Sequence, residues 1–228
     1  MDISLNQQTY EQFKRDIMTF AFKPGELVSA QKVAEHYNVS RTPAREALVR
    51  LQDEGMVDIY PQSRSVISRI KTVRIRQEWF VRRSLELGMV DRFFDNVSEH
   101  DMMEMRKAAL EMEKLGMEPR THTTSYEYIC CDDRFHAIMY RATGEGLAAR
   151  IIENMLPNYR RMRILVDFED ANKDRTVNEH KHLVTLIERR EKEAYREFLT
   201  MHLGHILSDV EELRADFPDM FESENEDI

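Results

Sequence analysis

The chain has 228 residues, 33 Lys+Arg against 42 Asp+Glu and a formal net charge of −9. That length is enough for one large or two ordinary domains, each with its own core. It contains no apolar run of transmembrane length and no basic-then-apolar leader at its start, so a cytoplasmic protein without a membrane partner is expected. Its two cysteines, Cys130 and Cys131, are adjacent within a helical pattern, where a disulfide between them would be strained, and they read as reduced.

In chain order, residues 24–55 (PGELVSAQKVAEHYNVSRTPAREALVRLQDEG) hold the first informative pattern, two short helical segments with a polar joint. One helix is predicted over Ala30 to Tyr37 with Val33 and Ala34 inward, broken at Asn38, which tolerates the left-handed conformation. Thr42 is the expected N-cap of a second helix, with Pro43 at its start and Gly55 as its stop after about Glu54. Ala44, Ala47, Leu48 and Leu51 share one face of this helix; Arg45 and Arg50 lie off it and Arg41 stands ahead of its first turn. An apolar back with a basic front suits the major groove, where a guanidinium fork grips guanine O6 and N7 and free helix N-terminal N–H groups favour phosphate. Period-two alternation follows over Met56–Tyr60 and Ser65–Arg69 around a Pro61-Gln62-Ser63-Arg64 joint, the pattern of a small hairpin or wing.

The segment Val39 to Leu48, Val-Ser-Arg-Thr-Pro-Ala-Arg-Glu-Ala-Leu, resembles the hallmark of the DNA-binding domain of the GntR family of bacterial transcription regulators. The resemblance implies a winged helix-turn-helix over residues 1–70, in which Arg41, Thr42 and Arg45 carry DNA contacts and the wing enters the minor groove. Arg50 on the basic front and Arg64 at the wing complete the expected DNA-binding set. The wing departs from the family pattern: Gln62-Ser63-Arg64-Ser65 stands where a tip glycine is common. Charge supports the reading against a plain α/β module with solvated arginines. Residues 1–70 carry nine Lys+Arg and nine Asp+Glu, so the whole −9 resides beyond them, and a neutral head on an acidic body is oriented toward DNA.

Beyond Ile70 the periodicity is helical almost throughout. About six helices are predicted, roughly 72–95, 98–116, 122–143, 145–168, 174–190 and 191–214, with Asp174 as a cap, Gly144 as a stop and a kink or break at Pro157. The fold class is therefore mostly α: a winged helix-turn-helix, an all-helical bundle over 71–216, and an acidic tail over 217–228 whose end frays. Met102, Met103, Met105, Met112 and Met117 read as core fillers.

The chemistry of the second part starts at Asp132 and His136, one helical turn apart, which lets a carboxylate and an imidazole converge on one ion. His180 and His202, on two further helices, make three nitrogens and one oxygen, a donor set for a divalent transition metal: zinc first, with nickel or manganese as alternatives. His182 and His205 are neighbouring candidates, and His205 replaces His202 if the last helix has a different register. From Arg82 to Leu203 the chain resembles the FCD effector domain of the FadR subfamily, through Arg82 to Glu86, Asp132 to His136, Glu179-His180 and His202. The resemblance implies metal binding at Asp132, His136, His180 and His202, a homodimer on a pseudo-palindromic operator, and a small effector.

Arg82 is a candidate to hold an effector carboxylate; an ion pair with Glu86 is its plain structural alternative. Arg160, Arg161 and Arg163 read equally as effector contacts or as a solvated or DNA-facing stripe. The functional expectation is a DNA-binding regulator, not an enzyme, that senses a small carboxylate at a metal-containing site. A metal-responsive regulator without an organic effector, or a metal-dependent enzyme, stands as the alternative.

Overall fold

The computed structural model describes residues 4–60, 64–154, 156–169 and 173–223. It is the expected class, mostly helical with one small sheet, and it divides into two compact units, Met1–Val73 with Arg214–Ile228, and Arg74–Leu213.

The first unit opens with α1 (Leu5–Met18), which the sequence reading did not anticipate. Ser4 caps it by accepting from the Gln7 N–H, and its buried residues include Tyr10, Phe13, Ile17 and Met18. The strand β1 (Leu27–Val28) precedes α2 (Ala30–Tyr37), which begins at a Ser29 cap and stops at Asn38 with φ 53°, ψ 48°. Helix α3 runs Arg41–Asp53 from an extended Ser40, so Thr42 lies in its first turn and is not the N-cap. Pro43 is thus the third helical residue; the first four N–H groups of a helix have no intrahelical partner, so proline is tolerated there. Gly55, at φ 74°, turns the chain into β2 (Val57–Tyr60) and β3 (Arg64–Ile67). The strands pair antiparallel in the order β1-β3-β2, with Val57 opposite Ile67 and Leu27 opposite Val66. The wing joint Pro61-Gln62-Ser63 lies outside the described residues.

Residues 217–223, expected to belong to an acidic tail, pack in this same unit. A 3₁₀ turn at Pro218–Met220 brings Phe221 into a parallel bridge with Ile70; both side chains are buried, at 2% and 0% exposure. The Ile70 N–H donates to the Met220 carbonyl at 2.9 Å, the Glu222 N–H donates to the Ile70 carbonyl at 3.0 Å, and Arg69 Nε donates to the Asp219 carbonyl at 3.2 Å. Lys71 pairs with Glu222 at 3.1 Å. Composition marked the segment as acidic; the apolar Phe221 and the backbone pairing are what hold it.

The second unit contains α4 (Thr72–Asn96) from Arg74 onward, α5 (Glu99–Met117), α6 (His122–Thr143), α7 (Gly146–Asn154), α8 (Pro157–Glu169), α9 (Lys173–Glu188), α10 (Lys192–Gly204) and the start of α11 (Ile206–Asp216). Two predicted helices are divided. The fourth breaks ahead of Pro157, which opens α8, and Glu78 on α4 accepts the Tyr159 N–H at 2.8 Å to cap the new helix start. The sixth breaks at His205, next to the Leu203 carbonyl, which accepts from the Trp79 indole Nε1 at 2.6 Å; Ser208 N–H closes a tighter turn onto the His205 carbonyl at 3.1 Å. Gly144, at φ 75°, ends α6 as expected, while the side chain of Asp174 lies outside the described residues. Met102, Met105 and Met112 are core residues; Met103 and Met117 are exposed, because they fall on the opposite face of α5. Cys130 and Cys131 are both free thiols.

Deleting a buried phenyl ring costs about 3–5 kcal/mol. Phe221→Ala is therefore expected to lower the thermal unfolding midpoint of the full chain, and an unchanged midpoint would show that the 217–223 segment adds nothing to the first unit.

Candidate metal centre and nucleic-acid interface

Helix α3 sorts its residues cleanly. Pro43, Ala44, Ala47, Leu48 and Leu51 are buried, while Arg41, Thr42, Arg45, Glu46, Val49 and Arg50 are solvent-facing and line one open groove. Arg41 Nε donates to Gln31 on α2 at 2.5 Å. Arg50 is turned back onto α1, with its guanidinium 3.5 Å from the centre of the Tyr10 ring and NH1 donating to Gln7 at 2.8 Å. Arg64 is exposed at the start of β3, 5.5 Å from the ring of its cross-strand partner Tyr60.

In the helical unit, α6 brings Asp132 and His136 to one face, α9 brings His180 and α10 brings His202. One ligand atom from each lies within 4.8 Å of all the others. The imidazoles share a pattern of hydrogen bonds. His136 Nδ1 is 2.8 Å from Glu86 Oε2, His180 Nδ1 is 2.7 Å from the Thr176 carbonyl, and His202 Nδ1 is 2.7 Å from Glu179 Oε2. A carbonyl or an ionised carboxylate can only accept, so each Nδ1 carries a proton, and in a neutral ring Nε2 is then the lone pair. The Nε2 atoms of His180 and His136 face each other at 3.3 Å, and His180 Nε2 stands 3.2 Å from Asp132 Oδ1. Two donors each about 2.0–2.1 Å from a tetrahedral zinc lie about 3.4 Å apart. Donor chemistry and spacing thus both fit a divalent ion.

A charged network surrounds the cluster. Asp132 pairs with Arg163 and, at 3.4 Å, with Arg82; Asp133 pairs with Arg163 at 2.6 Å and Arg160 at 2.5 Å. Arg82, at 2% exposure, donates its Nε to Glu86 at 2.7 Å. Arg161 is fully buried and donates to Asn158 at 3.2 Å. Arg160 and Arg163 are therefore internal and not part of a solvated or DNA-facing stripe, because Asp132 and Asp133 on α6 make their burial tolerable, and Arg161 is buried with them.

Burial alone would raise the Asp132 carboxyl, but the Arg163 guanidinium beside it holds it well below the usual carboxylate range. Burial pushes His202 down to about 4 and lowers His136 against the pull of Glu86. Neutral imidazoles beside an ionised carboxylate are the protonation states that a cation requires.

A cavity of about 90 Å³ adjoins the cluster, with Arg82, Tyr128, Asp132, Tyr159, Arg163 and His202 in its lining. His205 sits 3.0 Å from Glu179 Oε1 and His182 is exposed against Phe198, so neither joins the four converging donors. Sequence reasoning missed the groups behind the donors: Glu86 behind His136, Glu179 behind His202 and Arg163 behind Asp132. The signals that existed were the i,i+4 spacing of Arg82 and Glu86, the Glu179-His180 pair of the family pattern and the open candidacy of Arg163, none of which linked the group to its donor.

Residues 79–205 match the family described as FCD domain, and residues 5–67 match the bacterial regulatory proteins of the gntR family. The chain belongs to the GntR family and carries an FCD domain. This GntR-family chain is 26% identical over 220 residues to the HTH-type transcriptional repressor RspR of Escherichia coli, covering 96% of the chain and 95% of RspR. It shares its fold with E. coli McbR/YncC, at TM-score 0.75 and 19% identity over 95% of this chain and 100% of that one. It is also similar to Lar, which controls expression of the Listeria monocytogenes agr system, at TM-score 0.59 and 18% identity over 93% and 99%. The GntR-family chain is thus a DNA-binding transcription regulator, and none of its described helices is long and apolar enough to cross a membrane.

Removing one imidazole from the cluster is expected to lower bound metal and the metal-dependent part of stability together, since binding to the folded state stabilises it. His180→Ala should show both in metal analysis and in thermal unfolding with and without chelator; full metal retention would remove His180 from the ligand set.

Proposed function

We propose that this GntR-family regulator senses a small carboxylate at a divalent-metal site formed by Asp132, His136, His180 and His202, and that the ligand alters how a homodimer binds a pseudo-palindromic operator. The observation that carries the reading is the convergence of three imidazoles and one carboxylate beside a cavity lined in part by arginine. Zinc is the metal of choice for three nitrogens and one oxygen, with nickel or manganese next. Held six-coordinate by these four groups, the ion would supply positive charge and two open positions for an anionic ligand. The chain's own residues do the rest. Arg82 keeps its Nε on Glu86 and sets NH2 3.4 Å from Asp132, and it lines the cavity together with Arg163, so that the pair can meet a carboxylate.

Sensing is favoured over turnover because the carboxylates next to the cluster are already engaged. Asp133 is held by two arginines and Glu179 faces both His202 and His205, which leaves neither as a ready general base. On the DNA side, Arg41, Thr42 and Arg45 form the reading face, with Arg64 on the wing and Arg50, steadied on Tyr10, as the further contact.

Two measurements test this. Thermal unfolding of zinc-loaded protein against a panel of small carboxylates, with a chelated control, should show a metal-dependent rise in midpoint for at least one acid. Stabilisation by zinc with no organic hit would favour a metal-responsive regulator instead. Operator binding by Arg45→Ala should weaken by ~1–3 kcal/mol with relaxed preference at one base position; equal weakening on all sequences would make Arg45 a phosphate contact.

A further inference from the structure

We infer that Glu86, clamped by Arg82, is the residue that positions His136 for metal; the inference rests on the metal-site reading above. Glu86 lies on α4, fifty residues from His136 in sequence, and is fully buried. Its two oxygens receive three groups: His136 Nδ1 at 2.8 Å on Oε2, and Arg82 Nε at 2.7 Å and Tyr140 Oη at 3.2 Å on Oε1. Arg82 and Tyr140 hold the carboxylate in place, and the carboxylate, able only to accept, decides which nitrogen of His136 carries the proton.

That choice decides whether the site is open. His136 Nε2 faces His180 Nε2 at 3.3 Å, and His180 has its own proton committed to the Thr176 carbonyl. With its proton on Nδ1, His136 sets a second lone pair against that of His180, an opposition that a bound cation relieves. With its proton on Nε2, His136 would donate to His180 instead, and the two imidazoles would close on each other in a hydrogen bond that competes with metal. Glu86 selects the first state.

Glu86→Gln separates this role from packing, since the shape is nearly unchanged. Arg82 Nε and Tyr140 Oη still require an acceptor, so the amide oxygen stays with them and the NH₂ turns to His136 Nδ1. That NH₂ needs a lone pair there, which moves the His136 proton to Nε2. Full-length protein titrated with zinc against a chromophoric chelator should bind about 10–100-fold more weakly as Glu86→Gln.

Nitrogen-15 spectra of the metal-free imidazoles, with the His136 signal identified by its loss in His136→Gln, should show protonated Nδ1 in the wild type and protonated Nε2 in Glu86→Gln. If Glu86→Gln does not fold, the wild-type spectrum alone decides: protonated Nε2 on His136 overturns the inference. A folded Glu86→Gln with wild-type zinc affinity also overturns it and leaves the metal site standing. Wild-type protein that takes up no zinc overturns the metal reading, and this inference with it.

Discussion

Mutual neutralisation of buried charge is the constraint on which the helical unit depends. Arg82, Arg160 and Arg163 face Glu86, Asp132 and Asp133, with little exposure for any of the six. Removing one partner from a buried pair costs about 3–5 kcal/mol, because the remaining charge is left without a counter-ion. The pairing therefore dictates which helices must meet. Glu86 and Arg82 on α4 need α6, and Asp132 and Asp133 on α6 need α8. Once those contacts form, the His136 face of α6 is fixed toward α9 and α10, and the four donors converge as a consequence.

The same charges set the state of the donors. Arg163 and Arg82 keep Asp132 ionised, and burial keeps His136 and His202 neutral. With Asp132 matched by Arg163 and Arg82, the buried set is close to neutral; adding a divalent cation, on the proposed reading, makes the field at the cavity positive. The nearby arginines are already matched by acids, so in the absence of metal they offer an incoming anion little net attraction. Carboxylate binding at this place would then be conditional on the ion, which distinguishes it from a pocket built from unpaired arginines.

What could be read in the sequence follows from how local each cause is. The ends of α2 and α3 were legible because Asn38 and Gly55 adopt left-handed conformations that those residue types favour, and the break before α8 because Pro157 cannot continue a helix. Thr42 was misread because capping residues and proline are also tolerated inside a first turn. The break between α10 and α11 had no local marker: it adjoins the Leu203 carbonyl, which accepts from the Trp79 indole 124 residues away in sequence. Helix α1 escaped notice because Tyr10, Phe13 and Ile17 are a sparse stripe among polar residues, without a glycine or proline to mark its ends. At the candidate site the four donors were visible through spacing and resemblance. Their supporting partners were not, since Glu86–His136 and Arg163–Asp132 join residues that only the folded bundle brings together.

Connectivity limits how events at the cavity can reach the head. A ligand can shift DNA binding only by the difference in its affinity for the states involved. The chain passes between the two units at two places, after Val73 and after Leu213, and both fall within helices, α4 and α11. These helices also supply cavity residues: Arg82 from α4, and Ile206 and Asp209 from α11. Beyond its cavity end, α11 leads into the segment that places Phe221 on Ile70, within two residues of the start of α4. Any coupling carried by the chain itself must therefore pass through a helix that touches the ligand space. The 217–223 segment pairs with Ile70 inside the first unit, close in sequence to the start of α4.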